Sequence, residues 1–254
     1  MALFTDSGTE AKAPHIRASG SRGSDLDVER DRADELAREF YSTPRASSQI
    51  LSDGGGPFGF DIHAAFIFDE VQSRLDADAI IETGTCLGDT TDYLSRVYPD
   101  LPILSVEIDG NRAEFARLRL RERSNVEVVR GDSATVLEAT AHRFSRPIFY
   151  LDAHWADDWP LRRELDTVRQ GVAVVDDFDV GHDRFGFDSY GGVDCNAGRI
   201  KESLPGCAIW IPDVGFRHRY PCLQVGRRAG RAYVAIGQRA KDTLSSIPML
   251  MSHD

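Results

Sequence analysis

The sequence predicts an α/β fold: a Rossmann-like, doubly wound and mostly parallel sheet with helices on both faces. Three observations predict it. Short apolar runs alternate with segments of helical period from about residue 62 to residue 236. The run Val172-Ala173-Val174-Val175 is apolar without interruption, as a strand covered on both faces requires. Ala79-Ile80-Ile81-Glu82 leads into a turn bracketed by Gly84 and Gly88 just before a helix, an arrangement that aims backbone N–H groups at a ligand.

The chain divides into residues 1–45, a tail and helical arm, and residues 46–254, the α/β domain. The first 24 residues are small, polar and Gly/Ser-rich, the composition of a disordered tail. Asp25 to Phe40 then sets Leu26, Ala33, Leu36, Ala37 and Phe40 on one side of a helix that Pro44 stops. This arm caps a pocket, packs on a second subunit in a homodimer, or is an ordinary appended helix. Ser52 to Phe60 reads as a flexible loop, after which Asp61 caps a helix carrying Ala64, Ile67, Phe68, Val71 and Leu75.

Strands and helices follow in turn: strand Ala79 to Glu82, helix Asp89 to Val97, strand Ile103 to Ile108, helix Asn111 to Arg123 and strand Val126 to Arg130. A short helix follows Asp132, then strand Ile148 to Leu151, helix Leu161 to Arg169 and strand Val172 to Val175. Such alternation implies right-handed crossovers and a parallel sheet. The stretch Val180 to Gly192 mixes aromatics, polar groups and glycines, and reads as a lid over a small polar acceptor or as a loop folded over the sheet edge. A helix to Leu204 and strands at Ala208 to Ile211 and Ala232 to Ile236 complete the domain.

With 30 basic and 41 acidic residues among 254, a net charge of −11, the chain has no basic footprint for a polyanion. Nucleic acid and anionic membranes are therefore not expected as partners. No apolar run reaches the length of a signal peptide core or a membrane span, so the expected location is the cytoplasm. Cys86, Cys195, Cys207 and Cys222 have no C-x-x-C spacing and are expected as free thiols.

Ligands of an open parallel sheet sit outside the carboxyl ends of the strands. Those ends carry Glu82, Glu107 with Asp109, Asp132, Asp152 with His154, and Asp176 with Asp177, so nearly every strand stops on an acid. Glu82-x-Gly84-x-x-x-Gly88 departs from the dinucleotide fingerprint, and a carboxylate there would repel a pyrophosphate while suiting an ammonium group. Glu107 closes the second strand about 20 residues after the first glycine, where a carboxylate meets ribose hydroxyls. Asp132-Ser133 contacts an adenine edge or caps the following helix. Asp152, Asp176 and Asp177 end neighbouring strands; three hard oxygen donors suit Mg²⁺ or Ca²⁺, or Asp176 and Asp177 bond N–H groups of the next loop. His154, two residues past Asp152, is the candidate general base, with His182 the runner-up. Trp155 and Trp159 line an acceptor pocket or belong to the core.

Taken in order, Glu82-Thr83-Gly84-Thr85-Cys86-Leu87-Gly88-Asp89-Thr90, Val106-Glu107-Ile108-Asp109, Gly131-Asp132-Ser133 and Tyr150-Leu151-Asp152-Ala153-His154-Trp155 resemble the successive motifs of class I S-adenosylmethionine-dependent methyltransferases. The resemblance spans roughly Ile62 to Ile236. It implies seven strands with the last antiparallel, and S-adenosylmethionine as cofactor. Gly84 with Glu82, Thr83, Thr85, Gly88 and Thr90 would face the methionine moiety, Glu107 the ribose with Asp109 beside it, Asp132 and Ser133 the adenine, and Asp152 would also bind the cofactor. The acids Asp152, Asp176 and Asp177 are similar to the Mg²⁺ ligands of O-methyltransferases acting on catechols and macrolide sugars, although the Asp152-Ala153-His154-Trp155 context differs. The implied activity is methyl transfer to a hydroxyl of a small molecule, a sugar or natural product, with Asp152 and His154 in catalytic roles. Its alternatives are a metal-free N- or O-methyltransferase using His154, or a non-catalytic cofactor-binding protein.

Overall fold

The computed structural model describes residues 22–46, 55–153 and 159–253, with backbone alone for residues 22–29. Eight strands form one sheet: β1 (Ala79–Thr83), β2 (Ile103–Glu107), β3 (Val126–Arg130), β4 (Pro147–Leu151), β5 (Gly171–Val175), β6 (Ala208–Pro212), β7 (Ala232–Ile236) and β8 (Leu250–Ser252). Their order across the sheet is β8-β6-β7-β5-β4-β1-β2-β3. The pairs among β1 to β5 are parallel, and β7 runs antiparallel to both β5 and β6. The seven implied strands are thus present with the seventh reversed, and β8 adds an unforeseen antiparallel edge on β6.

Eight helices accompany the sheet among the described residues: α1 (Arg22–Ser42), α2 (Ile62–Leu75), α3 (Asp89–Val97), α4 (Gly110–Leu120), α5 (Ser133–Thr140), α6 (Leu161–Leu165), α7 (Ala197–Ser203) and α8 (Gln238–Ser245). The apolar strands split residue by residue between two cores, because successive strand side chains point to opposite faces. Ile80, Ile148, Tyr150, Val172 and Val174 join the core that includes residues of α1, α2 and α8, while Ile81, Phe149, Leu151, Ala173 and Val175 join the one beneath α5, α6 and α7. No described helix is long and apolar enough to cross a membrane.

The arm is built into the domain. Leu36, Ala37 and Phe40 of α1 are buried in the first core, each large side chain contributing roughly 1.5 to 3 kcal/mol. Phe40 meets Phe60 and Tyr93 at ring separations of 5.5 Å, and Arg32 pairs with Asp69 of α2 at 2.7 Å. Of the apolar side expected from the sequence, Leu36, Ala37 and Phe40 are therefore covered within this chain.

Between arm and sheet, Pro57–Phe60 forms a tight 3-10 turn in which Phe58 and Phe60 adopt φ of +51° and +65°. Left-handed backbone at a bulky residue costs on the order of 1 to 3 kcal/mol. Burial of the Phe58 ring against Phe68, Tyr93 and Tyr150 offsets that cost, and the Phe58 N–H donates to Thr90 Oγ1 at 3.1 Å. The turn brings Gly55, Gly56 and Gly59 to the rim of a large cleft.

Candidate functional site

Strand order reverses around β1, which has β2 on one side and β4 on the other, and outside the carboxyl ends of these strands lies a cleft of about 1210 Å³. Glu82, Gly84, Thr85, Thr90, Glu107, Asp109, Asp132, Ser133 and Asp152 all line it, with Asp176 and Asp177. Thr83 and Gly88 stand behind this surface. The buried Thr83 accepts the Asp152 N–H on its carbonyl at 3.1 Å, and Gly88 starts α3 in the left-handed region at φ +78°.

Gly84 has a different reason for being glycine from the one its motif suggests. At φ +81° a Cβ would lie 2.3 Å from the Asp152 carbonyl oxygen. The residue thus permits close contact between the loops after β1 and β4, besides whatever it offers a ligand.

Glu107 is buried and already engaged. Its Oε2 accepts the Cys86 N–H at 2.7 Å and its Oε1 the Asp109 N–H at 2.9 Å, which leaves one further lone pair on each oxygen of a residue that lines the cleft. Glu107 therefore fixes the glycine loop. Asp109 and Asp132 prove to be helix caps. Asp109 accepts the N–H groups of Asn111 and Arg112 at the start of α4, and Asp132 accepts that of Thr135 at the start of α5. Arg163 of α6 holds Asp132 in a fork with two contacts of 3.0 Å, and that pair first, then the cap, pulls the carboxyl down to about 2.

Glu82 is buried and receives hydroxyl hydrogen bonds from Thr91 and Ser105 on a single oxygen. Burial foremost, with the charges of Glu107 and Asp89, pushes its carboxyl up to about 7 against the pull of those two hydroxyls. Its neutral form is thus favoured by burial more than that of an exposed carboxyl.

Asp152, Asp176 and Asp177 offer oxygen atoms that all lie within 4.8 Å of one another. Burial and mutual repulsion raise Asp152 well above the carboxylate range, and burial with the charges of Asp176 and Asp188 lifts Asp177 to about 8. Asp176 has a counter-ion that sequence reasoning missed. Arg231, buried just before β7, places Nε 2.6 Å from Asp176 Oδ1, and Tyr150 donates to Asp176 Oδ2 at 3.0 Å. The same guanidinium reaches Asp61 at 3.6 Å and donates to the Phe58 carbonyl at 2.9 Å. The pairing of β5 with β7 sets Ala232 opposite Val175, and so brings Arg231 beside Asp176. An arginine immediately before an apolar strand was the available signal.

His154 and Trp155 lie outside the described residues. His182 does not line the cleft; its Nδ1 accepts the Arg184 N–H at 3.1 Å and closes a turn. Trp159 packs on the second core under Arg199, as a core aromatic. The stretch read as a lid is pinned: Phe185–Gly186 pairs with Arg228–Ala229, the Asp188 N–H donates to the Asp177 carbonyl at 3.0 Å, and Gly186, Phe187 and Asp188 form a cleft wall. The described cysteines are all free.

No family model and no curated protein matches the chain. Solved structures do. The O-methyltransferase TomG from Streptomyces achromogenes, involved in tomaymycin synthesis and solved with SAM, is 20% identical over 82% of this chain and 89% of that one, with a TM-score of 0.49. The O-methyltransferase from Bacillus cereus in complex with SAH is 17% identical over 84% and 97%, TM-score 0.47. The N-methyltransferase NodS from Bradyrhizobium japonicum WM9 is 14% identical over 85% and 99%, TM-score 0.43. At this distance the activity of each remains a property of that protein.

Proposed function

We propose that this chain is an S-adenosylmethionine-dependent methyltransferase that acts on a hydroxyl of a small molecule, a sugar or natural product, with Mg²⁺ held at Asp152, Asp176 and Asp177. The observation that supports the reading most is the coupling of Glu107 to the glycine loop through the Cys86 N–H, at a crevice flanked by Asp132 and Asp152. That arrangement offers carboxylate lone pairs to a diol and turned backbone to an amino acid moiety on adjoining walls of one cleft. The three clustered carboxylates fit a hard divalent cation, since a cation among them would relieve the burial and mutual repulsion that raise Asp152 and Asp177.

When bound, S-adenosylmethionine supplies an electrophilic methyl carbon, and Mg²⁺ lowers the pKa of a hydroxyl that it coordinates. The chain's own residues supply alignment and exclusion of water. Glu107 holds the glycine loop in its turned form, Arg163 fixes Asp132, and Thr83 anchors the backbone of Asp152. Arg231 and Tyr150 hold the Asp176 carboxylate from behind.

One observation favours a second reading. Asp176 already has Arg231 as counter-ion, as a metal-free N- or O-methyltransferase would require, with His154 as its base.

Calorimetric titration with S-adenosylhomocysteine in EDTA and in Mg²⁺, beside Mg²⁺ alone, separates the readings. The first predicts binding in both buffers and a separate Mg²⁺ heat that Asp177→Ala removes without weakening S-adenosylhomocysteine. Binding with no Mg²⁺ heat supports the metal-free enzyme. No binding contradicts both.

A further inference from the structure

The glycine loop is held from a second side, by the far end of α4. Cys86 lies in this loop at φ +51°, and a non-glycine residue stays in the left-handed region only where its surroundings over-determine the backbone. Just before α4 begins, Glu107 takes the Cys86 N–H at 2.7 Å. Near the last turn of the same helix, Arg119 Nη1 donates to the Leu87 carbonyl at 2.8 Å. Between these two points Gly88 lies against the helix itself, where an added Cβ would come 3.2 Å from Leu120 Cδ1 and 3.7 Å from Ala116 Cβ. Cys86 and Leu87 are thus gripped by a carboxylate on an N–H and a guanidinium on a C=O, both of them charge-assisted hydrogen bonds.

The other partners of Arg119 define what it joins. Its Nη1 also takes Asp89 Oδ1, and its Nη2 donates to the Pro44 carbonyl just past α1. Asp89, which lines the cleft, in turn accepts the Ala46 N–H at 2.8 Å. Between Pro44 and Ala46, Arg45 holds its guanidinium 4.7 Å from the Phe60 ring centre. One guanidinium therefore bridges the glycine loop and the chain leaving α1. Neutralising acids does not account for this placement. Asp92 already has Arg96 at 2.9 Å and Arg123 at 3.1 Å, with Arg119 the farthest of the three at 3.5 Å. Among the described residues, Arg96 bonds Asp92 and Glu39 and Arg123 bonds Asp92, whereas Arg119 alone of the three reaches the loop.

We propose that Arg119 is a positioning residue of the cofactor site, which holds the glycine loop in its binding form and couples that form to the docking of residues 44–46. A cofactor that fixes the loop fixes one end of the guanidinium fork, so the contact at the other end costs less ordering. By linkage, docking of residues 44–46 raises cofactor affinity by the same factor. Lysine would not replace this arginine, since an ammonium is a point charge and cannot span the Leu87 and Pro44 carbonyls as the two arms of a guanidinium do. The proposal rests on the methyltransferase reading, to which it adds how the cofactor loop is held and linked to the arm.

The test measures S-adenosylhomocysteine affinity by calorimetry, and amide deuterium uptake of residues 40–46 with and without that ligand, in wild type, Arg119→Lys and Arg123→Gln. Residues 238–252, at the opposite edge of the sheet, are the reference for overall stabilisation by a ligand. Wild type should bind, with uptake of residues 40–46 slowed more than that of the reference. Arg119→Lys should weaken binding about tenfold and abolish the extra slowing. Arg123→Gln, which takes a cation from Asp92 without touching the loop, should retain both. Wild-type affinity in Arg119→Lys, extra slowing that survives there, or equal losses in Arg123→Gln overturns the proposal. So does wild-type binding without extra slowing, a result that depends on no variant and leaves the methyltransferase reading intact. A wild-type protein that does not bind S-adenosylhomocysteine overturns that reading and this proposal with it.

Discussion

Arg231 Nε stands 2.6 Å from Asp176 Oδ1, both buried, joining the strand that ends in the acid cluster to the strand that runs back beside it. The contact is a close ion pair and not an aligned hydrogen bond, so its strength is mainly electrostatic. Arg231→Met would leave Asp176 and Asp61 without this cation. Removing one partner of a buried pair costs about 3 to 5 kcal/mol, which urea denaturation would show as a lower midpoint at unchanged slope. A loss under 0.5 kcal/mol would mean that water replaces the guanidinium easily.

Gly84→Ala tests the contact between the β1 and β4 loops. The added methyl would meet the Asp152 carbonyl at 2.3 Å while forcing φ +81° on an L residue. The expected result is a loss of at least roughly 1 to 3 kcal/mol of stability with weaker S-adenosylhomocysteine binding. An alanine variant as stable and as tight-binding as wild type would remove this close approach from the account.

The pH dependence of stability follows from Glu82. Its folded carboxyl titrates at about 7 against an ordinary value of 4.5, so between those two pH values the folded state holds a proton that the unfolded state has released. Stability contributed by this group is therefore present at low pH and is lost as pH rises through that window, by on the order of 3 kcal/mol in all. Glu82→Gln, which keeps an oxygen for Thr91 and Ser105, should flatten the decline in stability between pH 5 and pH 8. A variant whose pH slope equals that of wild type would assign the decline to other carboxyls, of which Glu164, pushed to about 7 by burial, is the next candidate.

The sheet was legible in the sequence because β1 to β5 are five-residue apolar or alternating runs separated by helices, and β3 and β7 begin and end where their residues predict. β8 was not, since Leu250-Met251-Ser252 is too short for any period to show. The acids at the strand ends were all legible as cleft residues. The cap at Asp132 was legible as one of two readings, but the cap at Asp109 and the loop contact of Glu107 were not, because the same residue types serve caps and ligands alike. Arg231 and Arg163 escaped because each acquires its meaning from a partner distant in sequence. Among them only Arg231 carries a local signal, a charge set immediately before an apolar strand.

The most direct measurement is the dissociation constant of S-adenosylhomocysteine for wild type and Glu107→Ala by calorimetry. The account predicts wild-type binding in the micromolar range, weakened by about 1.5 to 3 kcal/mol, roughly 10- to 150-fold, when the carboxylate that holds the Cys86 N–H and is proposed to meet the ribose is removed. Absence of wild-type binding, or an unchanged constant in Glu107→Ala, would contradict it.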